Sequence, residues 1–378
     1  MAYWQRLSIA SAKSWDNGGT IEIELPENGL LGSLQVHAYR AGVTDAFATL
    51  NRWRLIDYIS KVEVLGDEST IIKSVTGEVA KGLTFADGGG GAPDQEFNYG
   101  SSTKRAHFMI NFGRRLFDRK YLLDLSKFKN VKLKLTNTGT STLFGGNWNV
   151  SVMGYFLRDV PASISQGYLR TEEWQSWTTV QDETKTLKIP AAQRIRRIGF
   201  HVLPAFGTNA NADTQSYNVL DSIKVYLRSR ALVMMDESLR DLWYENYFHD
   251  GRERFAALEP YHSNGVGVKT GLGQTLAKAM GQMPQGGSPG ANTVAVEPGN
   301  DGASQKLLRT GTDNYSWIMM GLALENLAIL PFNQDDEDPS TWLDPKADSE
   351  VEIEAHTANS ASADNGTIKV VLDRLVVP

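Results

Sequence analysis

The two halves of this 378-residue chain repeat one ordered series of short segments, and this duplication restricts the folds open to it. The first matches lie at an offset of 164 (219 − 55) and the later ones at an offset of 220 (351 − 131). The matched segments are residues 34–37 with 198–201, 55–57 with 219–221, 123–124 with 343–344, and 131–133 with 351–353. A constant order with one change of offset predicts two copies of one fold, the second carrying an insertion.

Composition fits two ordinary domains and excludes several classes of function. The net charge of −6 gives no support for a nucleic-acid-binding surface, which requires a basic domain. The chain has no cysteine, so it can form neither a disulfide nor a thiolate site. No run approaches 18 apolar residues, so no membrane-spanning helix is predicted. Because residues 1–16 lack the apolar run of a signal peptide, we expect synthesis and retention in the cytosol unless an assembly carries the protein out.

Alternation of apolar and polar residues with period two dominates both halves. Residues 20–25 place isoleucines and a leucine on one face and carboxylates on the other, which is typical of a half-buried antiparallel strand. Residues 131–135 repeat the pattern with lysines, and residues 351–354 repeat it with glutamates. Further strands are predicted at residues 34–39, 59–65, 106–112, 150–157, 195–203, 222–227, 316–322, 327–332 and 367–372. Many short strands with turns between them indicate an all-β sandwich, for which the jelly roll is one standard topology.

Each half also contains one predicted helix and one long loop in the same order. Acidic and hydroxyl residues at 67–69 and at 236–238 are typical of helix N-termini, and apolar residues follow each at helical spacing. Loops follow at residues 86–104 and at about residues 250–313, both rich in glycine. Long loops are usually functional surface, so we expect both at the same end of the molecule, forming one decorated face.

The matched order, the helix in each half and the clustered loops resemble the double jelly-roll major capsid proteins of tailless icosahedral viruses. That lineage includes adenovirus hexon, and many of its members enclose a membrane. The resemblance covers roughly residues 18–378 and depends on layout, since no signature motif carries it. It implies an all-β fold of two tandem jelly-roll β-sandwiches with one short helix in each and long loops at one end.

The function that the resemblance implies is structural. It is that of a major capsid protein, not an enzyme, which self-assembles as pseudo-hexagonal trimers into an icosahedral virion shell. Its partners would be other copies of itself, minor capsid or vertex proteins and an internal lipid membrane, without sequence-specific nucleic-acid binding. Synthesis would take place in the host cytoplasm.

The repeat also predicts domain bounds. We expect an N-terminal arm at residues 1–17, a first jelly roll at 18–161, a linker at 162–185 and a second jelly roll at 186–378. The second jelly roll would carry the loop insertion at about residues 250–313.

Other classes of function are less well supported by the residues. His37 and His201 hold equivalent positions, as in a two-domain cupin, but neither has the neighbouring ligands that a metal site needs. Residues 265–270 superficially resemble a phosphate loop, yet Val268 stands where the motif requires glycine. No nucleophile elbow is present. The main alternative is a carbohydrate-binding or carbohydrate-active protein, because the chain has nine tryptophans that could stack on sugars. We assign no catalytic residue, metal ligand or cofactor.

Two loops at equivalent positions carry opposite charge, which suggests a contact between subunits. At the offset of 220, a basic loop in the first half aligns with an acidic run in the second. In a ring of alternating jelly rolls these loops would lie side by side, where complementary charge favours one register. The predicted subunit-interface residues are Arg114, Arg115, Arg119, Lys120, Asp335, Asp336, Glu337 and Asp338.

The N-terminal arm combines apolar anchors with positive charge and has no acidic residue before Asp16. The resemblance implies an inner-face position, where the arm could contact an anionic membrane, so removing residues 1–14 should preserve the trimer but impair attachment of the shell to a membrane. The predicted membrane-proximal residues are Tyr3, Trp4, Arg6, Leu7 and Lys13.

Overall fold

A computed structural model gives the fold of most of the chain. It describes residues 1–40, 55–88, 94–97, 104–140, 146–203, 218–250, 254–259, 268–269, 278–282, 294–298, 305–309, 316–321, 326–332, 338–348, 350–359 and 363–377. The predicted loop of residues 250–313 and the acidic run of residues 335–338 lie partly outside these ranges.

The elements of the first half form one jelly roll. They are β1 (Tyr3–Trp15), β2 (Thr20–Glu24), β3 (Leu30–Arg40), β4 (Ile59–Gly66), β5 (Thr70–Val75), α1 (Gly77–Gly88), β6 (Asp94–Phe97), β7 (Lys104–Asn111), β8 (Leu123–Asp124), β9 (Val131–Asn137) and β10 (Trp148–Arg158). One sheet has the order β1-β10-β3-β7, and the facing strands have the order β2-β9-β4-β5. Both sheets are antiparallel, and this interleaved order is that of a jelly roll.

Alternation places the core of the first jelly roll between these sheets. In β9 the apolar residues Val131, Leu133 and Leu135 are buried, while the lysines between them are half-buried, as the period-two pattern predicts. At one end of the sandwich the rings of Trp15 and Trp148 meet edge to face at 5.1 Å. Aromatic pairs of this geometry stabilise a core beyond the area they bury.

The second half repeats the arrangement. Its elements are β11 (Tyr168–Thr178), β12 (Thr184–Lys188), β13 (Ile195–Leu203), β14 (Leu220–Leu227), β15 (Leu232–Ser238), α2 (Leu239–Asp250), β16 (Arg254–Glu259), β17 (Val268–Lys269), β18 (Lys278–Gln282), β19 (Val294–Pro298), β20 (Gln305–Arg309), β21 (Ser316–Gly321), β22 (Leu327–Pro331), β23 (Glu352–Thr357) and β24 (Thr367–Val376). The strand orders β11-β24-β13-β22 and β12-β23-β14-β15 match those of the first half strand for strand. The prediction of an all-β double jelly roll is therefore confirmed.

The loops of the two halves meet in one additional sheet. Strand β6 pairs in parallel with β16, and β16 pairs with β21, which also pairs with β18. A separate small sheet joins β17, β20 and β19. The insertion that was predicted as a long loop therefore contains strands, because local pairing satisfies backbone groups that a bare loop would leave to water.

Two sequence predictions about local structure are wrong. Asp67 and Glu68 do not begin a helix; both adopt left-handed backbone conformations in the turn before β5, and α1 begins at Gly77. In the second half Asp236 and Glu237 belong to β15, and only Ser238 caps the helix that follows by accepting a hydrogen bond from the Asp241 amide at 3.1 Å. The shared Asp-Glu-Ser sequence therefore does not mark equivalent positions.

The assignment of residues 1–17 as an arm and of residues 162–185 as a linker is also wrong, because each segment contains the first strand of a jelly roll. Residues 3–15 form β1, which pairs with β10, and residues 168–178 form β11, which pairs with β24. Both strands carry bulges, and these interrupt the alternation that reveals other strands. Removing residues 1–14 would delete a strand of the first jelly roll, so the expectation that the trimer survives this deletion does not hold.

Candidate functional site

The two jelly rolls join where β5 of the first pairs with β11 of the second. The strands are parallel, with Thr171 opposite Lys73 and Glu172 opposite Ser74. This pairing merges strands of both halves into one eight-stranded sheet. Lys73 is 6% exposed and Thr171 is 1% exposed, so the internal joint, meaning the contact between β5 and β11, is closed to solvent.

A buried carboxylate at the internal joint connects three strands. Asp373 of β24 accepts a hydrogen bond from the Thr171 hydroxyl at 2.7 Å, and Lys73 Nζ donates to that hydroxyl at 2.5 Å. The second carboxylate oxygen of Asp373 lies 3.0 Å from Arg197 Nε. Since removing one partner of a buried ion pair leaves an uncompensated charge, these contacts favour a single arrangement of the two jelly rolls.

A second buried carboxylate extends the connection to the helix of the first jelly roll. Asp87, near the end of α1, contacts Arg197 Nη1 at 2.8 Å and Arg196 Nη1 at 3.0 Å. The Asn111 side-chain amide donates to the other Asp87 oxygen at 3.3 Å. Asp87 of α1, held by Asn111 of β7, therefore binds two consecutive arginines of β13, across the boundary between the halves.

The protonation of this network follows from burial and from neighbouring charge. Burial lowers the pKa of Lys73 to about 8, against the attraction of Asp373 and Asp87. Burial alone would raise the pKa of Asp373, but the charges of Arg197, Lys73 and Arg196 outweigh it and hold that pKa below its ordinary value. At neutral pH Lys73 and Asp373 are therefore both charged.

Apolar and aromatic contacts complete the internal joint near the chain termini. Tyr121 of the first half forms a small core with Leu169, Trp342 and Leu375 of the second. The rings of Tyr121 and Trp342 lie 5.9 Å apart. The joint therefore combines buried charge at its centre with an apolar cluster at its end.

The basic loop predicted as a subunit contact lies beside this cluster, and its residues differ in exposure. Arg114 is buried, and its Nε contacts Asp118 at 2.8 Å, so its charge is satisfied inside its own loop. Its guanidinium also lies over the Tyr121 ring, 5.1 Å from the centroid. Arg115 and Arg119 are exposed, whereas Lys120 is half-buried. The prediction that Arg114 reaches a neighbouring subunit is therefore wrong.

Of the acidic run, Asp335, Asp336 and Glu337 lie outside the described residues. Asp338 caps a short 3-10 turn, accepting a hydrogen bond from the Ser340 amide at 2.8 Å. The hydrogen bonds from Ser340, with the nearby charges of Lys120 and Arg194, hold the pKa of Asp338 below its ordinary value. Lys120 and Asp338 are therefore neighbours within one chain. A contact between subunits through Arg115, Arg119 and the acidic run stays a prediction.

The residues predicted as a membrane-proximal arm are distributed along β1. Trp4 packs beneath Gly32, where an added Cβ would meet its ring, and its ring lies 5.3 Å from that of Phe117. Leu7 packs against the first core, and Lys13 Nζ donates to the Glu22 carbonyl at 2.7 Å. Tyr3 and Arg6 are exposed. Lys13 is exposed as well, so three of the five predicted residues extend from the strand into solvent.

The histidines do not form the metal site considered for a cupin. The rings of His37 and His107 stack across two strands at 4.0 Å, and burial followed by the charge of Arg105 lowers the pKa of His37. His201 is fully buried, 3.8 Å from Glu78. Within the described ranges, no three His, Asp or Glu side chains are placed to hold a metal ion.

The tryptophans give no support for a sugar-binding surface in the described part of the chain. Trp15, Trp148 and Trp342 are at most 2% exposed, and Trp4, Trp174 and Trp177 are half-buried. None of the described helices is long and apolar enough to cross a membrane.

Sequence reasoning missed the charge network of the internal joint, although a signal was present. Residues 195–203 and 367–376 are strands buried along most of their length, yet each contains adjacent charged residues. A charge inside a buried strand requires a partner, so the Arg196-Arg197 and Asp373-Arg374 pairs could have been recognised as a buried network.

Comparisons with known proteins identify the same architecture. Neither a family model nor a curated protein sequence matches the chain. Among solved structures, it matches the STIV major capsid protein with a TM-score of 0.59 at 11% identity, over 100% of this chain and 97% of that chain. It matches the major capsid protein of bacteriophage PM2 with a TM-score of 0.52 at 10% identity, over 99% and 98% of the two chains.

A chain in the atomic structure of Sulfolobus Turreted Icosahedral Virus gives a TM-score of 0.61 at 12% identity, over 99% of this chain and 91% of that one. These similarities extend through both jelly rolls and the joint between them. The chain has the double jelly-roll fold of viral major capsid proteins.

Proposed function

We propose that this chain is a major capsid protein and that three copies form a pseudo-hexagonal capsomer of an icosahedral shell. The observation that supports the proposal is the extent of the structural match. The structural match covers 97% of the STIV major capsid protein and 98% of the PM2 protein, so nearly every element of those folds has a counterpart in this chain. Two similar but unequal jelly rolls per chain give three copies six comparable positions, and cyclic symmetry is the usual way to close such a ring.

The role we propose is structural and involves no catalysis. Its first partner is a second copy of this chain, followed by the capsid lattice and by minor capsid or vertex proteins. We place the protein in the virion, after synthesis in the host cytoplasm. In this proposal the sheet that joins β6 to strands of the insertion and the small sheet of β17, β20 and β19 form the outer surface.

Light scattering on freshly purified protein, followed by electron microscopy, tests the proposal. We expect a trimer of about 125 kDa at micromolar concentration, since one chain has a mass of 41.7 kDa, and three-fold particles with six lobes. A monodisperse monomer at every salt concentration, with no shells, would contradict it. A monomer that binds glycans would favour the carbohydrate-binding alternative.

The end that contains the termini would face the interior and could contact a membrane. Exposed apolar side chains collect there: Tyr3 is 51% exposed, Phe117 is 42% exposed and Val377 is 68% exposed. Arg115 and Arg119 are exposed in the same loop as Phe117, and each basic residue near an anionic surface contributes about 1 kcal/mol to binding.

A vesicle flotation assay with anionic and neutral lipids tests this contact. We expect the trimer to float with anionic vesicles and the variant with Arg115→Glu and Arg119→Glu to remain in the pellet fraction. A matched control is Lys185→Glu with Lys188→Glu, on the outer strand β12. Equal flotation of both variants would exclude the basic loop as the contact.

A further inference from the structure

Strand β15 holds in the second jelly roll the position that β5 holds in the first. Each is the last of four strands, in the orders β2-β9-β4-β5 and β12-β23-β14-β15, and each is followed by the helix of its jelly roll. Their registers carry the same irregularity, which falls between Val64 and Leu65 beside β5 and between Val225 and Tyr226 beside β15. Lys73 and Met235 are therefore equivalent positions, as are Ser74 and Asp236.

Strand β1 holds in the first jelly roll the position that β11 holds in the second. Each is the first strand of its jelly roll and pairs with the last. Each register is interrupted at the same place, between Ser8 and Ala10 in β1 and between Glu173 and Gln175 in β11. Arg6 is therefore equivalent to Thr171, and Leu7 is equivalent to Glu172.

The internal joint uses β5 and β11. Their equivalents in the other jelly roll, β15 and β1, remain without such a partner. Strand β15 lies at the edge of its sheet, and β1 lies at the edge of another. Among the described residues, no strand pairs with the outer edge of either. Unpaired edges offer backbone donors and acceptors to another chain, and natural proteins usually protect them.

Three consecutive exposed side chains of β15 are apolar, which is unusual for a protected edge, whereas the exposed Asp236 is paired with Lys224 of β14. Leu232, Val233 and Met234 are 47%, 51% and 46% exposed. Ile72, the residue of β5 equivalent to Met234, is fully buried in the first core, in a strand whose edge β11 covers. The pattern in β15 is therefore that of an internal joint from which the covering strand is missing.

We propose that β15 of one copy pairs in parallel with β1 of a neighbouring copy, in the register of the internal joint. Arg6 of one copy lies opposite Met235 of the neighbouring copy, and Leu7 lies opposite Asp236. This inference rests on the proposed self-assembly and specifies its contact. The contact is head-to-tail, and because it copies the geometry of the internal joint, we infer that its rotation closes after three copies into a ring in which internal and external joints alternate.

The side chains of β1 suit this partner. Beside Arg6 lies the Tyr155 ring, 5.5 Å from the guanidinium, and the rings of Phe117 and Tyr155 meet at 5.8 Å. In the internal joint Lys73 and Thr171 touch, so Arg6 and Met235 would share a face, and the methylenes of arginine can cover methionine. Apolar side chains of β15 would thus pack against an aromatic surface.

A designed disulfide tests the register directly, because the chain has no cysteine of its own. Neighbouring strands lie about 4.8 Å apart, within the range that a disulfide spans. The variant with Arg6→Cys and Met235→Cys should form a covalent trimer on oxidation. An equimolar mixture of the two single variants should form covalent dimers and nothing larger.

The matched control combines Arg6→Cys with Leu232→Cys. These positions are three residues out of register, or about 10 Å, and should not cross-link. Cross-linking of the control at the rate of the designed pair would overturn the proposed register.

A pair of surface substitutions tests the energetic role of β15. Val233 and Val180 are 51% and 57% exposed, and only Val233 lies in β15. Val233→Lys should raise the trimer dissociation constant about tenfold or more, because a desolvated interface does not accept a charge, whereas Val180→Lys should leave it unchanged. Both monomers should show the same thermal unfolding.

The outcomes separate this inference from the proposed function. Trimers that form without cross-linking of Arg6→Cys with Met235→Cys, or that weaken equally with Val180→Lys, overturn the joint and leave the capsomer intact. A chain that is monomeric under all conditions overturns both.

Discussion

Strands β5 and β15 occupy the same position in the two jelly rolls, but their surroundings differ in kind. Around β5, Lys73 is held by Thr171 and Asp373 in a network of buried charges. At the position equivalent to Lys73, β15 carries Met235 in a largely exposed apolar stretch. A joint within one chain forms at high effective concentration, so it can tolerate costly buried charges that specify geometry. An edge that must find its partner in solution benefits from apolar area instead.

The largest expected effect comes from breaking the internal joint at its central carboxylate. Asp373→Asn would remove the charge that contacts Arg197 and attracts Lys73, and losing one member of a buried ion network costs about 3–5 kcal/mol. Denaturant unfolding measures this loss. Asp182→Asn is the control, since Asp182 is 60% exposed beside His356 and its removal should cost less than about 1 kcal/mol. Equal losses would mean that the network does not stabilise the joint.

The next effect concerns pH. It arises because the pKa of Lys73 is lowered from 10.5, its ordinary value in an unfolded chain, to about 8 in the folded protein. Between these values the unfolded chain binds more protons than the folded chain, so stability rises with pH. We expect the unfolding free energy to increase by about 2–3 kcal/mol from pH 7 to pH 10 relative to Lys73→Met.

The Lys73→Met variant also makes the internal joint resemble β15, where Met235 stands. The unfolding free energy of this variant should not show the increase that Lys73 causes between pH 7 and pH 10 in the unsubstituted chain. Parallel curves for the two proteins would show that Lys73 does not titrate in this range.

A smaller effect is expected at the turn that leads into β11. Gly167 has a φ of +125°, and an added Cβ would collide with the Val376 carbonyl. Gly167→Ala should cost about 1–3 kcal/mol through backbone strain and collision, as measured by thermal unfolding. Gly146→Ala is the control, since its Cβ would meet only the flexible Arg40 side chain.

The smallest effect concerns the charged loops beside the joint. A double-mutant cycle of Lys120→Met and Asp338→Asn should give a coupling of less than about 1 kcal/mol, and asparagine preserves the cap. Coupling measured on dilute monomer would assign the pair to one chain. Coupling seen only in the trimer dissociation constant would support the predicted contact between subunits.

The fold could be predicted from sequence where alternation is regular and repeated. Residues 34–37 and 198–201 do hold equivalent places, since Leu34 pairs with Gly154 in β10 and Ile198 pairs with Leu372 in β24. The match of residues 55–62 is out of register. Leu220, and not Ile223, takes the place of Ile59, because it faces Thr357 as Ile59 faces Asn137. Bulges shift one strand against its partner, and a comparison of sequences does not detect that shift.

The candidate site was harder to predict than the fold, since it depends on contacts between distant segments. Arg114 was expected at a subunit contact because its basic loop aligns with an acidic run, but Asp118 four residues later holds it inside. The pairing of β5 with β11 joins residues about 100 positions apart, and nothing in either strand alone specifies it. Burial converts such pairs into specific contacts, and burial is a property of the assembled fold.

The internal joint also has a consequence for how a ring of three chains would form. Because β5 and β11 belong to one polypeptide, three of the six joints appear as each chain folds, at a rate that does not depend on protein concentration. Only the remaining joints require encounters between molecules. Dilution would therefore weaken only the three joints between molecules. Each newly made chain would enter assembly with its two jelly rolls already joined.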